Sequence, residues 1–233
     1  MSINCYLAMT AAEFSSAQTL PPHIAWMACH FSCYGAGISN LPPTLPPNSI
    51  VILNDRTPIC GHDPDLIADQ LTQLATSHSI CGFLLDFQRP NSPETLALTK
   101  HLLQALPCPV GVSDGYAQEF DCPVFLPPLP VHIPLEKALM PWNGREIWLE
   151  LAPAEELMTI TKDGCSITPC QTTLEPPFFT EENLHCHYTI NLDSDRATVT
   201  LSRDKSMLYS MLNEAEKFGV TLAVGLFQQL KDE

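Results

Sequence analysis

The sequence predicts an α/β protein: a trimmed or irregular (β/α) TIM-like barrel with a small antiparallel β insertion before its last helix. Three observations predict it. Short apolar runs alternate with amphipathic helical stretches, the pattern of parallel strands joined by crossovers. Most of those runs are apolar throughout, as strands buried on both faces are. Residues 157–202 break that rhythm and alternate with period two, as antiparallel strands do. An open parallel α/β sheet is the alternative architecture for the same pattern.

Strands are expected at residues 23–31 (HIAWMACHF), 49–54 (SIVILN), 80–87 (ICGFLLDF), 109–113 (PVGVS), 123–126 (PVFL), 146–151 (EIWLEL) and 220–227 (VTLAVGLF). The link 41–47 (LPPTLPP) is too proline-rich for a helix. A helix is expected over 62–77, with Asp63 as N-cap, Pro64 in the first turn and Leu66, Ile67, Leu71 and Leu74 as its apolar stripe. Ser92-Pro93-Glu94 opens a second helix that runs to about Leu106. Shorter helical material falls over 135–140. In the insertion, Asp163-Gly164 follows Met158-Thr159-Ile160-Thr161 as a hairpin signal. Residues 188–191 and 197–201 flank Leu192-Asp193-Ser194-Asp195 in the same way, and a Pro-bearing link spans 172–182. The last helix, 204–218, carries Met207, Leu208, Met211, Leu212 and Ala215 inward and ends at Gly219. The chain is thus read as one domain over 1–233, with the insertion at 157–202 inside it.

Composition narrows the function. Among 233 residues, Lys plus Arg number 11 and Asp plus Glu 26, a formal net charge of −15. That balance argues against nucleic acid or an anionic membrane as partner. No apolar run approaches the roughly 18 residues of a membrane span. No basic segment precedes an apolar stretch near the start, so no signal peptide is expected. Ten cysteines, several inside apolar runs (Cys81, Cys122), read as reduced thiols in a cytoplasmic protein. Cys29-His30-x-x-Cys33 and His185-Cys186-His187 hold zinc-ligand residue types, but no C-x-x-C pair completes a four-ligand site. No metal and no cofactor are expected. Neither Gly-rich phosphate-loop pattern is present.

A parallel barrel places its site at the carboxyl ends of the strands. That rule picks out His30 and Tyr34, then Asn54, Asp55 and Arg56, then Asp86, Gln88 and Arg89. Asp114 and Tyr116 follow, with Glu150 near the end of its strand and Gln228 after the last one. Asp55, Asp86, Asp114 and Glu150 are the candidate catalytic carboxylates, because neighbouring carboxyls divide acid and base work. The remaining eight are candidate ligand contacts, with the arginines suited to an anionic group and Tyr34, Tyr116 and Trp142 as aromatic walls. Strand ends are polar in any barrel, so turns such as Asn54-Asp55-Arg56 also have a purely structural reading.

Residues 65–90, a helix leading into Cys81-Gly82-Phe83-Leu84-Leu85-Asp86-Phe87-Gln88 and then Arg89-Pro90, resemble the helix and D-G-x-D-x-D-x-E strand of glycoside hydrolase family 18, the chitinase-like barrels. The β insertion, and the ending of strand, helix, Gly and apolar strand over 197–227, are similar to that family and to its spore-cortex type. The motif departs from the family: only Asp86 matches an acid, Cys81 and Leu84 stand at the earlier acidic positions, and Gln88 stands where the resemblance places the acid/base Glu. The family's later M-x-Y is replaced by Phe125-Leu126-Pro127. The resemblance implies a substrate-assisted glycosidase, but an amide has no acid proton to donate at neutral pH. Three functions follow. The first is a non-catalytic barrel binding a small carbohydrate or other polar ligand at the rim. The second is an active hydrolase or lyase using the Asp55/Asp86/Asp114/Glu150 rim. The third is a protein-interaction scaffold, whose protein partner meets the insertion and the Pro-rich loops.

Overall fold

The computed structural model describes residues 3–35, 37–171 and 174–231. The chain divides into two compact units.

The first unit comprises Asn4–Pro127, Arg145–Glu150 and the chain from Thr221 onward. It opens with β1 (Asn4–Met9), α1 (Ala11–Ser16), β2 (Ile24–Phe31), β3 (Ile38–Ser39) and β4 (Ile50–Asn54). It continues with α2 (Pro64–His78), β5 (Gly82–Asp86), α3 (Pro93–Ala105), β6 (Val110–Ser113), α4 (Asp114–Ala117) and β7 (Val124–Leu126). Helix α5 (Leu135–Leu139) falls in the second unit, and β8 (Ile147–Leu151) returns to the first. Strands β1, β2, β4, β5, β6, β7, β8 and the late strand at 220–226 hydrogen-bond in that order and close on β1. The fold is therefore an eight-stranded parallel barrel, and the open-sheet alternative falls. Among the described residues the connection from β2 to β4 contains no α-helix: it holds a 3-10 turn (Cys33–Gly35), β3 and the proline-rich link, as expected of a trimmed barrel.

Strand β1 was absent from the seven expected. Its sequence, Asn-Cys-Tyr-Leu-Ala-Met, starts polar and is short, yet it pairs in parallel with strands on both sides and is what completes the ring. A capping box follows it: the Glu13 amide donates to the Thr10 hydroxyl at 3.2 Å and the Glu13 carboxylate accepts the Thr10 amide at 2.8 Å.

Alternation explains why the strands read as continuously apolar. Ile50, Ile52, Leu84, Trp148 and Val224 pack with Tyr6 inside the barrel. Val51, Leu53, Phe83 and Leu85 pack outward against Ile67, Leu71 and Leu102 of α2 and α3. Helices α2 and α3 start at the caps read from sequence, Asp63 and Ser92, each with Pro in the first turn. At Gly111 a Cβ would collide with the Trp148 indole, which lies across β6.

The second unit holds Pro128–Gly144 and Leu151–Val220. It contains β9 (Ala154–Thr161), β10 (Gly164–Pro169), β11 (Phe179–Glu181), β12 (Cys186–Leu192), β13 (Arg196–Arg203) and α6 (Lys205–Ala215). Strand β14 (Val220–Leu226), the last of the barrel, and α7 (Phe227–Leu230) follow. The sheet order is β10-β9-β13-β12-β11, antiparallel throughout, and it begins three residues earlier than expected. The expected link at 172–182 begins on Thr172 and Thr173, which lie outside the described residues. Register puts Met158, Val199 and Leu201 on one face, packed on Val131 and Cys186, and threonines 159, 198 and 200 on the other. Arg203, 3% exposed, donates to the carbonyls of Leu129 (2.8 Å), Leu184 (2.8 Å) and His185 (3.3 Å). Glu156 accepts the Val131 and His132 amides and the His132 ring at 2.6 Å. The buried Arg203 and the partly buried Glu156 thus tie the 129–132 loop to the sheet.

Candidate functional site

The carboxyl ends of β4, β5, β6 and β8 bring the rim residues together. The turn after β5 is fixed first. Asp55 is 3% exposed, and its carboxylate accepts the backbone amides of Gln88 (3.0 Å) and Arg89 (2.8 Å). Arg89 answers with Nε to the Asp55 carbonyl (2.9 Å) and Nη2 to the Arg56 carbonyl (3.1 Å). The Ser113 hydroxyl accepts the Phe87 amide (3.0 Å) and donates to the Leu85 carbonyl (3.1 Å). Phe87 is buried between the rings of Phe31 and Tyr116, and the Tyr116 hydroxyl donates to the Arg89 carbonyl at 3.0 Å. Asp55, Arg89 and Tyr116, expected as acid, anion clamp and aromatic wall, therefore spend their polar groups on this turn.

The groups left facing outward are Asp86, Gln88, Asp114 and Glu150. A cavity of about 440 Å³ is lined by Phe87 to Asn91, Ser113 to Tyr116, Phe125, Pro127 and Glu150. A smaller one of about 140 Å³, inside the barrel mouth, shares Phe125 and Glu150 and adds Asn54, Asp86 and residues of β1, β2 and β14. A groove of about 390 Å³ joins Asn54, Asp55, Arg56, Asp86, Gln88 and Arg89. These shared walls make one continuous rim. The Gln88 side-chain amide donates to Asp86 at 2.5 Å. Burial pushes the Asp86 carboxyl above the usual range, against the bonds from Gln88 and Ser113, and the Asp55 charge adds to the rise. Burial also raises Glu150, with the Asp86 charge as second cause. Asp86 and Glu150 line the smaller cavity together.

Two expected contacts, His30 and Gln228, stand apart from these cavities. His30 faces its own strand, with Nδ1 3.2 Å from the Ala28 carbonyl. A register shift in β2 between Trp26 and Cys29 makes period-two counting fail before it reaches His30. Gln228 bonds the Glu13 carboxylate. The side chain of Tyr34 lies outside the described residues. Trp142 belongs to the second unit. Sequence reasoning missed Phe125, Pro127 and Asn91 as walls. The prolines that end these strands were their only signal. Among the described residues no group of three or more His, Cys, Asp or Glu is placed to hold a metal ion. His185 meets Glu214 (3.2 Å) and Ser210 (3.3 Å), and His187 meets Asp204 (3.6 Å).

No protein-family model and no curated protein matches the chain. Solved structures do. A glycoside hydrolase family 18 chitinase from Cycas revoluta, in complex with (GlcNAc)4, superposes with a TM-score of 0.58 at 9% identity, over 97% of this chain and 95% of that one. The spore cortex-lytic enzyme SleL of Bacillus cereus superposes with a TM-score of 0.53 at 9% identity, over 96% of this chain and 70% of that one. The chain thus has the fold of a glycoside hydrolase family 18-like TIM barrel.

Proposed function

We propose that the barrel binds a small sugar-like ligand at its rim and does not cleave it by the acid chemistry of its structural neighbours. The observation that carries this reading is Gln88. It stands at the motif position of the acid, on the wall of a cavity within the roughly 300–1,000 Å³ range of small-molecule sites. Its amide holds Asp86 and supplies a donor and an acceptor but no acid proton. Phe125, Pro90 and Pro127 give the apolar wall on which a sugar ring packs. The (GlcNAc)4 bound to the Cycas chitinase makes N-acetylated saccharides the first ligands to try. Thermal unfolding with and without N-acetylglucosamine oligomers, run beside a chromogenic chitobioside assay, tests this. Stabilisation without turnover is expected. Turnover by the purified protein would refute the non-catalytic part.

The Asp86–Glu150 pair favours a second reading, a hydrolase in which one raised carboxyl donates a proton and the other stays ionised. Activity that vanishes in Asp86→Asn while stability holds would establish it. All ten cysteines are unpaired, and burial pushes the Cys29 thiol up to about 12. That chemistry supports a reducing, cytoplasmic setting. Among the described residues no helix is long and apolar enough to cross a membrane.

A further inference from the structure

We propose that the insertion sheet is a self-association surface: the outer half of its apolar face packs on the same face of a second copy of this chain. The five strands are antiparallel, so residues directly opposite in neighbouring strands share a face. Register sets Leu192 beside Ala197 and Ile160 in one row, and Ile190 beside Val199 and Met158 in the next. Phe179 extends the face at the β11 edge, beside Tyr188. Val131 and its loop cover the base of this face, where Met158, Val199 and Leu201 pack. The outer end is open. Leu192 is 80% exposed, Phe179 63%, Ile190 48% and Ile160 42%. Of the ten large apolar side chains exposed among the described residues, these four share one face.

Size and charge name the occupant. At about 200 Å² for a large apolar residue, the four expose roughly 450 Å². Two facing copies would remove roughly 900 Å² from these side chains alone, and the flanking Met158, Val199 and Ala197 bring the total to about the 1,000 Å² that a specific interface needs. The net charge of −15 makes most of the surface repel a second copy. The turns that rim this patch differ: Lys162 and Arg196 stand against Asp163, Asp193 and Asp195, close to balance. Arg196 already meets Asp193 at 3.5 Å. Two such rims can meet without strong repulsion, and an apolar patch with a rim of both signs is complementary to itself, as a two-fold dimer requires. None of these residues lines the cavities at the barrel mouth, so the pairing stands apart from the sugar-binding reading.

Sedimentation velocity of the full chain from about 2 to 200 µM tests this. A monomer–dimer equilibrium is expected within that range. Leu192→Asp should weaken it about tenfold or more, because the interface would bury an unpaired carboxylate. Ser166→Asp adds the same charge on the opposite face, in the row of Thr159, and should leave the equilibrium unchanged. Should Leu192→Asp not fold, Ile160→Asp serves as the second variant. A monomer at every concentration overturns the proposal and leaves a different protein as the partner of this face. A dimer that persists at full strength in the face variant overturns it too, as does one that Ser166→Asp weakens equally.

Discussion

Replacing Asp55 by Ala should unfold the barrel far more readily than any change to the outward-facing carboxylates. The side chain is 3% exposed, so water cannot take its place. Its loss strands two backbone donors, the Gln88 amide at 3.0 Å and the Arg89 amide at 2.8 Å. Hydrogen bonds to a charged group contribute about 1.5–3 kcal/mol each, so the pair is worth roughly 3–6 kcal/mol. Asp55→Asn keeps one acceptor oxygen and should cost about half as much. Urea denaturation read by fluorescence follows the barrel through Trp26 and Trp148, both buried in it. A loss within about 0.5 kcal/mol of wild type, the range of an ordinary surface change, would refute the anchoring role.

Glu150→Gln should stabilise the protein at neutral pH. Its raised carboxyl favours the native state fully below the ordinary carboxylate range, and that benefit is lost as pH rises through the folded-state value. The gain in melting temperature should therefore shrink as pH falls toward 4.5, the unshifted Glu value; a gain independent of pH would contradict it. Arg203→Lys should cost about 2–4 kcal/mol, because a single ammonium cannot span the carbonyls of Leu129, Leu184 and His185. Chemical denaturation read by far-UV dichroism checks that value. Gly111→Ala should cost roughly 1–3 kcal/mol or abolish soluble expression, since its methyl meets the Trp148 ring; an unchanged melting temperature would show that the indole moves freely.

Seven of the eight barrel strands were legible because buried parallel strands are apolar on both faces and punctuated by Pro and Gly. Strand β1 was not, because half of its six residues, Asn4, Cys5 and Leu7, are not fully buried. The rim was legible in outline, since strand ends follow once strands are placed. The division of labour within it was not. Asp55 bonds amides 33 and 34 positions away, and Arg89 reaches back across the same gap. Such pairings exist only once β4 and β5 lie side by side. Arg203 and Glu156 are likewise silent in sequence, because their partners are mostly loop backbone groups that carry no residue signature.

Hydrogen exchange of the wild-type protein, with and without saturating saccharide, tests the central claim most directly. The account predicts slowed exchange at the amides of 87–89, 91 and 113–116, which border the large cavity. Slowing confined to β9–β13, or none at saturation, would contradict it.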